Sequence, residues 1–284
     1  MTVPVIARIL DEPRLLDELV GPDPEAVGRE IYRRFHLAAS FDDEGRDDDT
    51  GLLAAVRTAL GGRTRVSADG WAYGSALADG RLIVRRADGL EVAVEFGDIE
   101  RMAAGHITLR LPSLEPGVMN GWVWFHSSAR PERAADLSAR IYLCLDGEGR
   151  ATEWADLVAG LDDQAYVFSS KIIRRKKERT RPDGVVVYCR TDEVPDFLEC
   201  IGELIPPGRR GTATAGFAVR VAPGVSVSVP QEGEDRHASL GMDRSRDIAR
   251  RLVAGEPAES AVIEVARVLE RQSAQVAALL GEDV

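Results

Sequence analysis

Three short apolar runs constrain this chain most: RIYLCL at 140–145, AYVFSSKII at 165–173 and VVVYCR at 185–190. Each reads as a strand, and along a strand successive side chains point to opposite faces. Arg140 and Tyr142 therefore share a face, as do Tyr188 and Arg190, and Lys171 shares its face with Val167 and Ser169. If the three strands are neighbours in one sheet, two guanidiniums, one amine and two phenols converge. Such a cluster is costly to bury unless an anion compensates it.

The second run opens the stretch from Tyr166 to Asp192, which holds all three lysines of the chain, Lys171, Lys176 and Lys177; every other basic residue that is not histidine is arginine. Arginine's planar fork binds phosphate in bidentate fashion, whereas lysine can lose its proton when burial and nearby positive charge lower its pKa. A site holding both types can bind a phosphoryl group and remove a proton beside it. Read as packing instead, the arginines ion-pair with the plentiful acids, Asp192 included, the tyrosines are core, and RRKKER at 174–179 is a solvated connection.

Around these runs the pattern predicts an α+β chain: N-terminal helices, a central, mostly antiparallel sheet, and C-terminal helices. Residues 1–284 read as a single unit, with a helical part over 1–62 and an α+β body over 63–284. Helices are expected at 9–20, from the Asp23-Pro24 start through Val27, Ile31 and Phe35, and at 51–60 before Gly61-Gly62. The acidic segment FDDEGRDDDTG between the last two repels itself and reads as an exposed loop. Turn signals at Asp79-Gly80 and Asp88-Gly89 mark a β-meander, with Trp71 and Tyr73 as its core-facing anchors. In NGWVWFHSS, Trp122, Trp124 and His126 fall on one strand face and Val123 and Phe125 on the other. Further helices are expected at 131–137, 152–161 and 193–205, then from a capping Asp243 to Ala254, and at 259–280. Residues 213–230 supply more strand, turning at Pro223-Gly224.

Composition narrows the function classes. A net charge of −11 argues against non-specific attraction to nucleic acid or to an anionic membrane, so any anionic ligand must be held by a local basic site. Three cysteines, Cys144, Cys189 and Cys200, form no CxxC pair and no even disulfide framework, which suggests a reducing compartment. Acids appear too early in MTVPVIARILDEPRLL for a signal peptide, and no run is long enough to span a bilayer; a cytoplasmic location is expected. There is no Walker pattern, GxGxxG, HExxH or GxSxG. A second candidate anion site lies in RHASLGMDRSRDIARR, where Ser239, Gly241 and Arg244 stand at a helix start.

The order of EIYRRFH (30–36), DGW (69–71), RIYLCL, FSSKI (168–172), YCRTD (188–192), GFAVRVAPGVSVSVP (216–230) and SLGMDR (239–244) resembles the HopA-type type III effector domain family, in particular its bacterial members in biosynthetic pathways of the thioamitide and class V lanthipeptide kinds. The resemblance covers nearly the whole chain. It implies a lyase that removes phosphate from phosphoserine or phosphothreonine in a ribosomal precursor peptide, leaving dehydroalanine or dehydrobutyrine, with a separate aminoglycoside-phosphotransferase-like kinase as partner. The positions it carries over are Arg140, Tyr142, Lys171, Arg190, Asp192 and Arg244. Read through that chemistry, Lys171 is the base, Arg140, Arg190 and Arg244 clamp phosphate and carbonyl, Tyr142 or His126 is the acid, and Asp192 orients an arginine; neither metal nor organic cofactor is called for. Two alternatives stand beside it: a non-catalytic module that recruits the peptide or activates the kinase, and an effector-like interaction protein.

Overall fold

The computed structural model describes residues 16, 23–37, 49–117, 119, 121–129, 137–145, 147–178, 180–231 and 239–281. The helices expected at 9–20 and 131–137, apart from Leu16 and Leu137, and the acidic run 42–48 lie outside the described residues.

Helix α1 (Pro24–Ile31) starts as its sequence dictates: the Asp23 carboxylate accepts from the Glu25 amide at 2.9 Å and Pro24 occupies the first turn. It then widens into one π turn, Tyr32–His36, closed by a bond from the Leu37 amide to the Tyr32 carbonyl. The apolar stripe of Val27, Ile31 and Phe35 is buried. Helix α2 (Thr50–Leu60) is capped by Asp49, whose side chain accepts from the Gly51 and Leu52 amides.

The strands divide into two antiparallel sheets. The meander forms the first: β1 (Arg65–Ala76), β2 (Leu82–Arg86), β3 (Glu91–Val94), β4 (Ile99–Ala103) and β5 (His106–Pro112), in the order β3-β2-β1-β5-β4. Its outer strands β3 and β4 are joined by little more than the turn Phe96–Asp98. Laid flat, five strands would hold their outer members about 19 Å apart, while the five steps from Val94 to Ile99 span at most about 17 Å fully extended. The sheet therefore curls on itself, enclosing Trp71, Val84, Val94, Ile107 and Leu109 as a private core. Tyr73 does not join them: it is 51% exposed, although the ladder from Trp71 to Tyr73 is regular and Trp71 is buried.

The second sheet has seven strands in the order β11-β12-β8-β10-β9-β7-β6. They are β6 (Leu114–Glu115), β7 (Trp122–His126), β8 (Ala139–Leu143), β9 (Ser169–Ile173), β10 (Val185–Cys189), β11 (Val219–Ala222) and β12 (Val225–Ser228). One face is mostly apolar: Val123, Phe125, Ile141, Leu143, Ile172, Val185, Val187, Val225 and Val227 pack with Trp154, Leu157 and Val158 of α3 (Arg150–Asp163) and Phe197 and Ile201 of α4 (Val194–Leu204). Ser170 falls on that face but is satisfied, accepting from Trp154 Nε1 and donating to the Val186 carbonyl, both at 2.9 Å.

Helix α5 (Leu240–Val253) begins earlier than Asp243. Ser239 is its cap, with extended backbone and a side chain that accepts from the Met242 amide, so Asp243 sits in the first turn. Helix α6 (Ala258–Leu279) buries Val262, Val265, Leu269 and Val276, and its fully buried Gln272 donates to the Val227 carbonyl at 3.1 Å. Helices α1, α5 and α6 share one core around Ile31, Phe35, Phe217 and Ile248, so the two ends of the chain fold together.

Candidate active site

The other face of the seven-stranded sheet is the polar one, and its register explains which residues meet. Directly opposed residues of an antiparallel ladder project to the same side, with Cβ atoms about 5 Å apart. One row across the sheet runs His126–Ser169–Tyr188–Arg140, and the next runs Trp124–Lys171–Val186–Tyr142. These eight residues line a cavity of about 420 Å³, together with Trp122, Tyr32, His36, Arg181, Asp183 and Ser239 among others. Val186, the short side chain of its row, stands between Lys171 and Tyr142.

Lys171 is half-buried, its Nζ lying 4.4 Å from the Trp122 ring centroid, 5.1 Å from Trp124 and 5.5 Å from Tyr188. Burial among these rings pushes its pKa down to about 8; Asp183 opposes the shift, and Arg140 and Arg181 add to it. Arg140 is buried, with its guanidinium 5.7 Å over the Tyr188 ring. Desolvation raises the Tyr142 phenol to about 12, against the pull of Arg140, so it stays protonated at neutral pH.

At the wall beneath α1, Arg181 donates from Nε to Asp183 Oδ1 at 2.7 Å and from Nη2 to Oδ2 at 2.9 Å, and also pairs with Glu178. Tyr32 donates to Asp183 at 2.9 Å. Despite desolvation, Arg181 holds the Asp183 carboxyl well below the usual range. Arg181 is thereby largely neutralised; Arg140 and Lys171 are the other cationic side chains among the described lining residues. His36 stacks between Tyr32 (4.8 Å) and Phe217 (5.8 Å), accepts from the Phe217 amide at Nδ1, and is lowered by burial to about 4.

Two glycines make this wall possible. A Cβ on Gly241 would stand 2.7 Å from the His36 ring, and one on Gly216 would stand 1.9 Å from the Phe35 carbonyl oxygen. EIYRRFH, GFA and SLG, far apart in sequence, are thus three parts of one joint.

Across the cavity, His126 receives two polar partners. Its Nδ1 lies 2.8 Å from Ser169 Oγ and its Nε2 lies 3.3 Å from Glu115 Oε2.

Of the residues expected at a site, Lys171, Arg140, Tyr142 and His126 line this cavity. Arg190 and Asp192 do not: β10 ends at Cys189, Arg190 caps the following turn, and the two form an exposed pair with contacts of 3.2 and 3.1 Å. Period two carried Arg190 one residue past the strand it depends on. Arg244 is buried behind the cavity and donates to the Phe217 carbonyl at 2.6 Å, where its charge helps hold His36 neutral. It buttresses the wall and does not line the pocket. Four polar lining residues escaped the sequence reading. Tyr32 and His36, four apart, carried a helical-spacing signal in EIYRRFH; Arg181 and Asp183 carried only an R-x-D in a connection, with nothing to mark them.

Comparison with curated sequences gives no significant match. Among solved structures, the fold is similar to the effector protein from Pseudomonas syringae pv. tomato strain DC3000, with a TM-score of 0.53, 12% identity, and coverage of 92% of this chain and 91% of that one. It is similar too to the effector protein from Pseudomonas syringae pv. syringae strain 61, with a TM-score of 0.52, 12% identity, and coverage of 93% and 89%. A model of the HopA1 effector protein family matches residues 113–277, more than half of the sequence and the whole of the seven-stranded sheet. The chain belongs to the HopA1 effector protein family.

Proposed function

We propose that this protein is a lyase that eliminates phosphate from phosphoserine or phosphothreonine in a ribosomal precursor peptide, acting after a separate kinase. The observation that carries the reading is Lys171: an amine with its pKa lowered to about 8, facing an aromatic-walled cavity that also holds a buried arginine and a protonated phenol.

In this reading the phosphate lies against Arg140, over Val186. The neutral Lys171 amine takes the proton from Cα; its electron pair becomes the Cα=Cβ bond as the Cβ–O bond breaks. Tyr142 donates a hydrogen bond to the departing phosphate, and the fixed charge of Arg140 stabilises the phosphate and the enolate-like carbonyl. The apolar ring walls exclude water and lower the dielectric, which strengthens each of these contacts. Lys171 enters as the free base and leaves as the ammonium, whose proton returns to solvent with phosphate release.

A synthetic phosphothreonine or phosphoserine peptide incubated with the protein is expected to lose phosphoric acid by mass spectrometry, and the product to add a thiol. A peptide that stays intact both alone and with the cognate kinase present would sink the proposal.

A further inference from the structure

Ser169, His126 and Glu115 make an arrangement that elimination does not use. The Glu115 carboxylate on β6 faces His126 Nε2 at 3.3 Å, which fixes the ring proton on that nitrogen. Nδ1 then keeps its lone pair and points it at Ser169 Oγ, 2.8 Å away. A base within hydrogen-bond reach of a hydroxyl, itself oriented by a carboxylate, is the general signature of an activated nucleophile. Strand register holds all of it: His126 and Ser169 are directly opposed, and Glu115 pairs with Trp124, whose ring stacks on His126 at 6.0 Å and 15°. Ser169 and His126 both line the cavity. Along the same face of β9, Lys171 follows Ser169 by two residues, about 7 Å, and Arg140 stands beyond Tyr188 in the row of Ser169.

A serine nucleophile flanked by an ammonium and a guanidinium suits a phosphoryl centre, whose equatorial oxygens carry the charge in the transition state. We propose that Ser169 is a second reactive group of this pocket, accepting the phosphoryl group of phosphate monoesters with His126 as its base. The Oγ–P bond forms as the bond from phosphorus to the ester oxygen breaks. The Ser169 proton passes to His126 Nδ1 and on to solvent, while the leaving oxygen, in line on the far side of phosphorus, takes its proton from water. Water, deprotonated by His126, hydrolyses the phosphoserine and releases inorganic phosphate, so the net reaction is monoester plus water to alcohol plus phosphate. Glu115 is a positioning residue here. The inference is independent of elimination, which gives an alkene and leaves no group on the protein.

The probe is p-nitrophenyl phosphate, which has no aliphatic C–H beside its ester carbon and cannot undergo the elimination described above. Wild type is expected to release nitrophenol and, quenched in acid, to carry one phosphoryl group on the peptide containing Ser169. Ser169→Ala is expected to do neither, and His126→Asn to slow both on the order of 100-fold. Glu115→Gln is expected to slow them about tenfold and to move the acid limb of the rate profile, a change that a purely structural Glu115 would not produce. Ser169→Cys, close in size, guards against misfolding of the alanine variant: it is expected to melt like wild type and to form an acid-labile phosphorothioate. No release by wild type, equal release by Ser169→Ala, or a phosphoryl group mapped elsewhere overturns the proposal. Loss of phosphoric acid from a phosphopeptide is measured in parallel, so each reading can fail alone.

Discussion

At Lys171 burial, aided by Arg140 and Arg181, lowers the pKa, while Asp183 and three ring faces at cation–π distance hold some preference for the ammonium. Under the proposed mechanism, kcat/KM for elimination, which reports the free enzyme, rises with pH and levels off above about 8. Lys171→Arg, which keeps charge but cannot act as a base near neutrality, is expected to lower it by 10²-fold or more at unchanged peptide affinity. An unaltered rate for that variant would remove Lys171 from the chemistry. Binding of a phosphate dianion favours the ammonium, so inorganic phosphate is expected to raise the Lys171 pKa, measurable by NMR of the labelled amine; an unmoved value would place the anion elsewhere. At Gly241 the argument is steric. Gly241→Ala puts a methyl into the His36 ring, and overpacking of this kind costs about 1–3 kcal/mol. A lowered melting temperature with weakened phosphate binding is expected, and a neutral result would show that the joint can give.

The π turn at the end of α1 buries His36, and desolvation, helped by Arg181 and Arg244 and opposed by Asp183 at 4.0 Å, keeps it neutral down to about pH 4. Its unfolded counterpart protonates near 6.5. Between these values the unfolded chain binds the extra proton, so stability falls as pH falls through that window. Between pH 7 and 5 the loss attributable to His36 is about 2 kcal/mol. The depressed carboxyl of Asp183 contributes stability that disappears only below the ordinary carboxylate range, outside this window. Denaturant unfolding at the two pH values checks the sign: His36→Gln, whatever its own cost, is expected to show the flatter dependence. Equal slopes would mean that the π turn opens to water before the protein unfolds.

Over the whole molecule, the curled sheet of β1–β5 has its own core and lies outside the matched family region, while the seven-stranded sheet carries the cavity. Trp71→Ala is accordingly expected to cost about 3–5 kcal/mol within the curled sheet yet leave phosphate affinity within about twofold, read by hydrogen exchange and by titration. A large loss of affinity would show that the two sheets are coupled. Much of this was legible beforehand. The shared face of Trp122, Trp124 and His126 and that of Arg140 and Tyr142 follow from period two, because a pleated strand has no other choice of faces, and the α+β class follows from the succession of helical and strand periodicities. The helix starts at Asp23-Pro24 and the apolar stripe of α6 were legible for the same local reason.

What lay beyond the sequence by itself was long-range. That β8, β9 and β10 are neighbours in one sheet is a property of strand order. That β10 stops one residue short of Arg190 is set by the turn that follows it, and that Arg244 lies behind the cavity on the Phe217 carbonyl depends on how α5 seats against α1. The same holds for Tyr32, His36, Arg181 and Asp183, brought together from 151 residues apart in the Tyr32–Asp183 bond. Local sequence determined which face each side chain takes, since that depends only on backbone geometry. The tertiary structure alone decided which of those faces is closed over by the chain's two ends, and so which cation becomes a desolvated amine.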